Sequence, residues 1–172
     1  MSSEVFDVAI VGHGPAGATL ANLLGQAGLS VLVIEREAAI YPLPRAIHFD
    51  GEVMRVFQNM GLRRAVEAIS RPGLSGMHFV NAQGQTLLIR GGTTVEGPHG
   101  CASNYYFHQP ELEQVLREGA RRFEQVRVLL RHEVSAIEER EDHAALTVTR
   151  RDDGQTDTQR ARCVVGCDGA RS

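Results

Sequence analysis

The sequence predicts an α/β fold: a parallel β-sheet interleaved in chain order with an antiparallel one. Three observations carry this. The apolar run Val5-Phe6-Asp7-Val8-Ala9-Ile10-Val11 enters Gly12-His13-Gly14-Pro15-Ala16-Gly17 and, one helix length later, Val31-Leu32-Val33-Ile34 ends in Glu35-Arg36, which together read as a βαβ unit. Two short strand-like runs flank Asn81-Ala82-Gln83-Gly84, the pattern of a β-hairpin. A last apolar run, Cys163-Val164-Val165-Gly166, returns after this insertion and resumes the parallel sheet.

In the opening unit each residue type has a physical task, and the unit is Rossmann-like. Gly12 permits the tight strand-to-helix turn, Gly14 admits a pyrophosphate close to the backbone, and Gly17 lets the helix approach the sheet. The phosphates would be held by free N–H groups of the helix start, around Pro15 and Ala16, where the macrodipole also favours negative charge. Pro15 suits that first turn because its missing N–H has no intrahelical acceptor to lose. Ala16, Leu20, Leu23, Leu24 and Ala27 recur at helical spacing and are expected to form the face laid on the sheet, with Gly28 ending the helix. Glu35, at the second strand tip, can accept hydrogen bonds from ribose hydroxyls and repels a 2′-phosphate, so the expected ligand is FAD or NAD rather than NADP. A glycine motif alone is weak; strand, helix and acid together make it specific.

The elements that follow are read in order. Glu37 to Phe49 is expected to be a loop, since the prolines of Tyr41-Pro42-Leu43-Pro44-Arg45 forbid regular structure. Asp50 can cap a helix with an apolar stripe of Val53, Val56, Phe57 and Met60, ended or bent at Gly61. Met77 to Val80 and Thr86 to Ile89 are the hairpin strands, Gly91 to Gly100 is turn-rich, and Tyr105 to His108 reads as a short strand. Gln109-Pro110-Glu111 then opens a helix with an inner face of Leu112, Val115, Leu116 and Phe123. Strands are expected over Val126 to Leu130, Val134 to Glu138 and Ala145 to Thr149. The turn Asp152-Asp153-Gly154 leads to a strand from Thr156 to Ala161 and a separate final strand from Cys163 to Gly166.

Composition describes an ordinary globular chain. Its 172 residues are 42% apolar and 23% charged with a net charge of −3, which gives no bias toward nucleic acid or an anionic membrane. No apolar run reaches membrane-span length, and the opening Met1-Ser2-Ser3-Glu4 lacks a basic leader region, so a cytoplasmic protein is expected. Cys101, Cys163 and Cys167 lack Cys-x-x-Cys spacing and read as reduced, structural thiols, the last two in or beside a buried strand. The seven histidines show no paired spacing, and no metal site is expected.

Gly12 to Gly17 with Glu35-Arg36, Pro44-Arg45-Ala46 in the next loop, and the closing Cys167-Asp168-Gly169-Ala170-Arg171-Ser172 stand in one order. Together they resemble the FAD-dependent aromatic hydroxylases, the single-component flavoprotein monooxygenases with a p-hydroxybenzoate hydroxylase-like fold. Pro42 to Asp50 and Phe107-His108-Gln109-Pro110-Glu111-Leu112-Glu113 are most similar to the 3-(3-hydroxyphenyl)propionate hydroxylase branch. The resemblance implies that Gly12, Gly14 and Gly17 cradle the FAD pyrophosphate, that Glu35 holds the adenosine ribose and that Arg36 lies at the adenine end. It also implies that Arg45 approaches the FAD phosphates or the nicotinamide cofactor, that Gln109 reaches the ribityl side, and that Asp168 lies between FAD and NAD(P)H. From sequence physics alone Arg45 is equally a surface loop arginine, Gln109 a helix N-cap and Asp168 a turn former. His48 reads as a packed or solvated histidine rather than a substrate contact.

The implied function is hydroxylation of a small phenolic substrate with dioxygen, using FAD and NADH or NADPH, without nucleic acid or membrane as partner. Residues 1–73 and 108–172 would form the FAD-binding lobe, and 74–107 the start of the substrate-domain sheet. Family members continue for at least as long again, so the chain resembles an N-terminal portion, inactive in hydroxylation by itself. The strand that ends it would leave apolar surface open, predicting a tendency to associate, with a homo-oligomer among the expected states. Two other readings share the fingerprint: a non-catalytic nucleotide-binding fragment, and an NAD-dependent dehydrogenase domain, against which the lack of an obvious acid or base weighs.

Overall fold

The computed structural model describes residues 4–73, 75–90, 97 and 99–170. Leu74, most of the turn-rich stretch expected from Gly91 to Gly100, and Arg171-Ser172 of the closing motif lie outside the described residues. The chain divides into two compact units, Met1–Tyr41 with Leu116–Ser172, and Pro42–Val115.

The first unit is built on a six-stranded sheet. Its strands are β1 (Phe6–Val11), β2 (Val31–Glu35), β8 (Val126–Leu130), β9 (His132–Glu139), β10 (Ala144–Arg150) and β11 (Thr156–Gly166), in the order β8-β2-β1-β11-β10-β9. β8, β2, β1 and β11 run parallel, and β10 and β9 continue the same sheet antiparallel. The fold class is thus the expected one. The two closing strands, however, are one: β11 pairs antiparallel with β10 over Thr156 to Ala161 and parallel with β1 from Ala161 to Gly166. Arg162, the polar residue that separated them in sequence, lies exposed on a continuous strand with its guanidinium 3.6 Å from the Asp7 carboxylate.

Alternation along the strands explains how the sheet is covered. Leu32 and Ile34 join Phe6, Ala9, Leu146, Val148 and Ala161 in one buried cluster. Val31 and Val33 face the other way, with Ile10, Ala21 and Ala120. A continuous apolar run such as Val31 to Ile34 is what a strand buried on both faces requires. Cys163 departs from expectation: it is exposed, while Cys167 is half-buried, and all three cysteines are free thiols.

Helix α1 (Pro15–Gln26) covers one face, with Pro15 in its first turn and Gly28, at φ +80°, just past its end. Its inner face is not the expected one. Gly17, Ala18, Ala21, Asn22 and Gly25 are buried, whereas Ala16, Leu23 and Ala27 are exposed and Leu20 and Leu24 only flank the cluster. Small residues let the helix axis lie close to the strands, and the leucines are displaced to the flanks. Asn22, wholly buried, donates from Nδ2 to the carbonyls of Ala18 and Leu116, both at 2.8 Å, and accepts from Arg122 at 3.3 Å.

The second unit contains β3 (His48–Asp50), α2 (Gly51–Asn59), α3 (Arg63–Ile69), β4 (Ser70–Pro72), β5 (Met77–Val80), β6 (Thr86–Arg90) and β7 (Asn104–Phe107). Helix α4 (Gln109–Ala120) follows β7, and the division between the units falls within it. Asp50 caps α2 by accepting the Val53 N–H at 3.0 Å, as expected. The buried stripe is Met54, Phe57 and Met60, one position out of phase with the expectation at Val53, which is exposed. β5 and β6 form the expected hairpin, with Asn81 Oδ1 accepting the N–H groups of Gln83 and Gln85 in the turn.

β3 and β4 lie where a loop and no strand were expected, and both are held by β7 in the three-stranded sheet β3-β7-β4. Their partner is more than thirty residues away, so short runs such as His48–Asp50 carry no local strand signature. This pairing also ties residues 48–72 to 104–107, so the compact units are cut at different points from the lobes 1–73 with 108–172 and 74–107.

Candidate functional site

In the first unit the C-terminal ends of β1, β2 and β11 meet at the glycine loop. Gly12 donates its N–H to the Ile34 carbonyl at 2.7 Å, and Cys167 donates to the Val11 carbonyl at 2.6 Å. Gly12 sits at φ +101°, and a Cβ there would lie 2.5 Å from the Cys167 carbonyl oxygen and 2.8 Å from Asp168 Cα. At Gly17 a Cβ would lie 2.0 Å from the Gly12 carbonyl oxygen. Two of the three fingerprint glycines are therefore required by close backbone approach, which no side chain could share.

Gly14 is the residue before α1, extended at φ −73° and ψ −170°, and offers no side chain to cap the helix. No acidic residue lies in the first turn. The helix start thus keeps its N–H groups and its positive dipole end for something other than a cap or a carboxylate of α1 itself. Pro15 is half-buried and Ala16 exposed beside it.

Glu35 closes the site from β2. Its Oε2 accepts the His13 N–H at 2.7 Å and its Oε1 accepts the Glu37 N–H at 2.8 Å. Two charge-assisted bonds fix the carboxylate beside the loop, while each oxygen retains a further lone pair. Arg36 is exposed and 3.6 Å from Glu37. Asp168 is exposed, with its backbone against Gly12. Burial, with Asp168 adding to it, pushes the Cys167 thiol above the ordinary range, so this cysteine is a protonated packing group.

His13, inside the fingerprint, is the residue sequence reasoning passed over. Its side chain is 3% exposed, and neither ring nitrogen has a hydrogen-bond partner among the described residues. Burial and then the Arg117 charge lower its pKa to about 4; Glu35 opposes this and Arg121 adds to it. The ring is thus a neutral imidazole beneath the loop. Its position between two glycines carries no sequence sign of burial.

Arg45 and Gln109 belong to the second unit, where they meet. Gln109, buried as the first residue of α4, accepts the N–H groups of Arg45 and Ala46 on Oε1 at 2.8 and 2.9 Å. Its carbonyl end therefore pins the loop that carries the exposed Arg45 side chain, and its amide NH2 makes no hydrogen bond to a described residue. The spacing of 64 residues hides this bond from local pattern reading. His48 is a packed histidine, with Nε2 2.7 Å from Asn104 Oδ1 and its ring 5.7 Å from that of Tyr106. Among the described residues no three His, Cys, Asp or Glu side chains cluster as a metal site, and no helix is long and apolar enough to cross a membrane.

Comparison with known proteins gives a consistent result. A family profile described as FAD binding domain matches residues 5–172. The 3-(3-hydroxy-phenyl)propionate/3-hydroxycinnamic acid hydroxylase of Comamonas testosteroni is 40% identical over 172 residues, covering 99% of this chain and 28% of the relative. A Rhodococcus jostii (strain RHA1) protein named "Probable NADH-specific resorcinol 4-hydroxylase" is 38% identical over 171 residues, covering 96% of this chain and 31% of its own length. The p-nitrophenol 4-monooxygenase of Pseudomonas putida DLL-E4 shares the fold, with a TM-score of 0.88 at 23% identity over 98% of this chain and 42% of that one. The flavin-dependent monooxygenase PieE, solved in complex with FAD and substrate, superposes with a TM-score of 0.85 at 27% identity over all of this chain and 31% of that one. The chain spans less than a third of the length of these two curated relatives. With the profile matched over nearly its whole length and the glycine loop built as such a site requires, the chain belongs to the FAD binding domain family.

Proposed function

We propose that this chain is the FAD-binding part of an NAD(P)H-using monooxygenase that hydroxylates a phenolic ring with dioxygen. The observation that carries the reading is the glycine loop, whose backbone-to-backbone contacts at Gly12 and Gly17 leave no room for a Cβ, with the Glu35 carboxylate fixed beside it. Such a cradle suits a pyrophosphate. Gly12, Gly14, Pro15, Ala16 and Gly17 surround the phosphates, Glu35 accepts the adenosine ribose hydroxyls and Arg36 lies at the adenine end. Asp168, beside Gly12, faces the cleft between flavin and nicotinamide. Arg45 serves the phosphates or the incoming NAD(P)H, and Gln109, its oxygen already engaged, offers its NH2 to the ribityl chain. Residues 1–73 and 108–172 serve the cofactor, and 74–107 opens the substrate sheet.

When bound, FAD supplies the redox chemistry that passes electrons from NAD(P)H to dioxygen. This chain's residues bind and orient: the loop neutralises phosphate charge with N–H groups, and Glu35 sets the adenosine end. The two curated relatives act, by their names, on phenols with and without a carboxylate, and a phenol is the substrate class proposed here. The free thiols fit a cytoplasmic setting.

Titration followed by flavin fluorescence tests the reading. The intact protein should bind FAD, with ADP competing. Gly17→Ala should abolish binding, and Glu35→Gln should weaken it by about tenfold, the worth of one charge-assisted hydrogen bond. FAD affinity unchanged in both variants would place the cofactor elsewhere.

A further inference from the structure

The Glu35 carboxylate is held from two sides, and only one of them is the glycine loop. Its Oε1 accepts the Glu37 N–H, so where the carboxylate sits depends on how the two residues after β2 are fixed. Arg36 and Glu37 are exposed and lie beyond the end of the strand, so no sheet hydrogen bond sets the direction of that amide. A tie reaches them from 115 residues later in the chain. Arg151, in the turn between β10 and β11, donates from Nη1 to the Arg36 carbonyl and to Glu37 Oε1, both at 3.3 Å.

Arg151 is itself anchored. Its N–H donates to the Arg131 carbonyl at 2.8 Å, and its Nε lies 3.9 Å from Glu133 Oε2. Arg131, at φ +61°, is the only non-glycine among the described residues in the left-handed region, so the turn that presents this carbonyl is an uncommon one. A lone exposed ion pair holds little, because two long side chains must be ordered for one contact. Here one guanidinium engages a backbone carbonyl and two carboxylates, and a planar fork loses less freedom per bond. The result is a continuous series: Arg151 holds residues 36 and 37, Glu37 holds Glu35, and Glu35 Oε2 accepts the His13 N–H of the loop at 2.7 Å.

We infer that Arg151 is a positioning residue for the coenzyme's ribose: by holding residues 36 and 37 it keeps the Glu37 N–H on Glu35 Oε1 and so aims the remaining lone pairs of that carboxylate at the sugar hydroxyls. The inference rests on the proposed FAD-binding function for its ligand, and adds to it a residue outside the fingerprint. The intact protein is titrated by calorimetry with ADP, the nucleotide half of FAD, and with 2′,3′-dideoxy-ADP, which lacks both hydroxyls. The parent should prefer ADP by about tenfold or more, since only ADP offers donors to a charged acceptor. Arg151→Gln should shrink that preference by about fivefold, the upper range for an exposed ion pair, with the dideoxy nucleotide bound as before. Arg151→Lys should keep part of it, retaining the charge but not the fork. In a Glu35→Gln background Arg151→Gln should change nothing further, because the two act through one carboxylate. A merely structural arginine would weaken both nucleotides alike. An Arg151→Gln variant that keeps the parent's preference, one that loses affinity for both nucleotides equally, or a further loss of preference in the Glu35→Gln background overturns the inference and leaves the cofactor reading standing. A parent that binds both nucleotides equally, or neither, overturns the coenzyme assignment at Glu35 and this role with it.

Discussion

His13 shows what a single buried side chain can impose on pH dependence. Its pKa is 6.5 when solvated and about 4 in the folded protein, so between those values the unfolded chain binds a proton that the folded one refuses. Stability is therefore complete above pH 6.5 and falls as the pH drops toward 4. At about 1.4 kcal/mol per pH unit the loss is roughly 3 kcal/mol. His13→Met should be free of it: urea unfolding at pH 7.5 and pH 4 should show the parent losing about that much more than the variant. If the two lose equally, the imidazole is not the neutral group described. The close backbone approach at Gly12 and Gly17 and the place of Glu35 at the tip of β2 were legible because they follow from spacing. His13 was not, since its burial is made by distant chain.

At the scale of elements, α1 illustrates how a correct helix can carry a wrong face. Its limits, its first-turn proline and its terminal glycine were readable, but hydropathy chose the leucines, and packing chose Gly17, Ala18, Ala21, Asn22 and Gly25. An asparagine on the inner face has no hydropathic signal, yet its amide joins α1 to the Leu116 carbonyl. Asn22→Leu keeps the volume and removes three hydrogen bonds, leaving that carbonyl unpaired. A loss of about 2 kcal/mol is expected, read from the urea midpoint at unchanged slope. β3 and β4 were invisible for a related reason: three-residue strands exist only because β7 lies between them.

Over the whole molecule, order should follow where apolar surface is covered. β1 and β2 carry Ala9, Ile10, Val31, Leu32, Val33 and Ile34 at essentially zero exposure, whereas Phe79, Val80, Leu87, Leu88 and Ile89 of the β5–β6 hairpin are all exposed. Two strands without a covered face are marginal in water. Amide hydrogen exchange should be orders of magnitude faster over Met77–Arg90 than in β1 and β2; comparable protection would mean the hairpin is buried in solution. The α/β class, the parallel start and the hairpin were legible because each rests on short-range periodicity. The sharing of one sheet by both strand directions was not, because it depends on β11 crossing Arg162 without a break.

That uninterrupted β11 also acts as a ruler. Its first half is clamped to the β9–β10 meander, and its far end delivers Cys167 and Asp168 against Gly12. Because side chains alternate along a strand, inserting or deleting one residue near Arg162 would turn every later side chain to the other side and slide Asp168 past the loop. The peripheral meander thus sets the distance at which the acid meets the glycine turn.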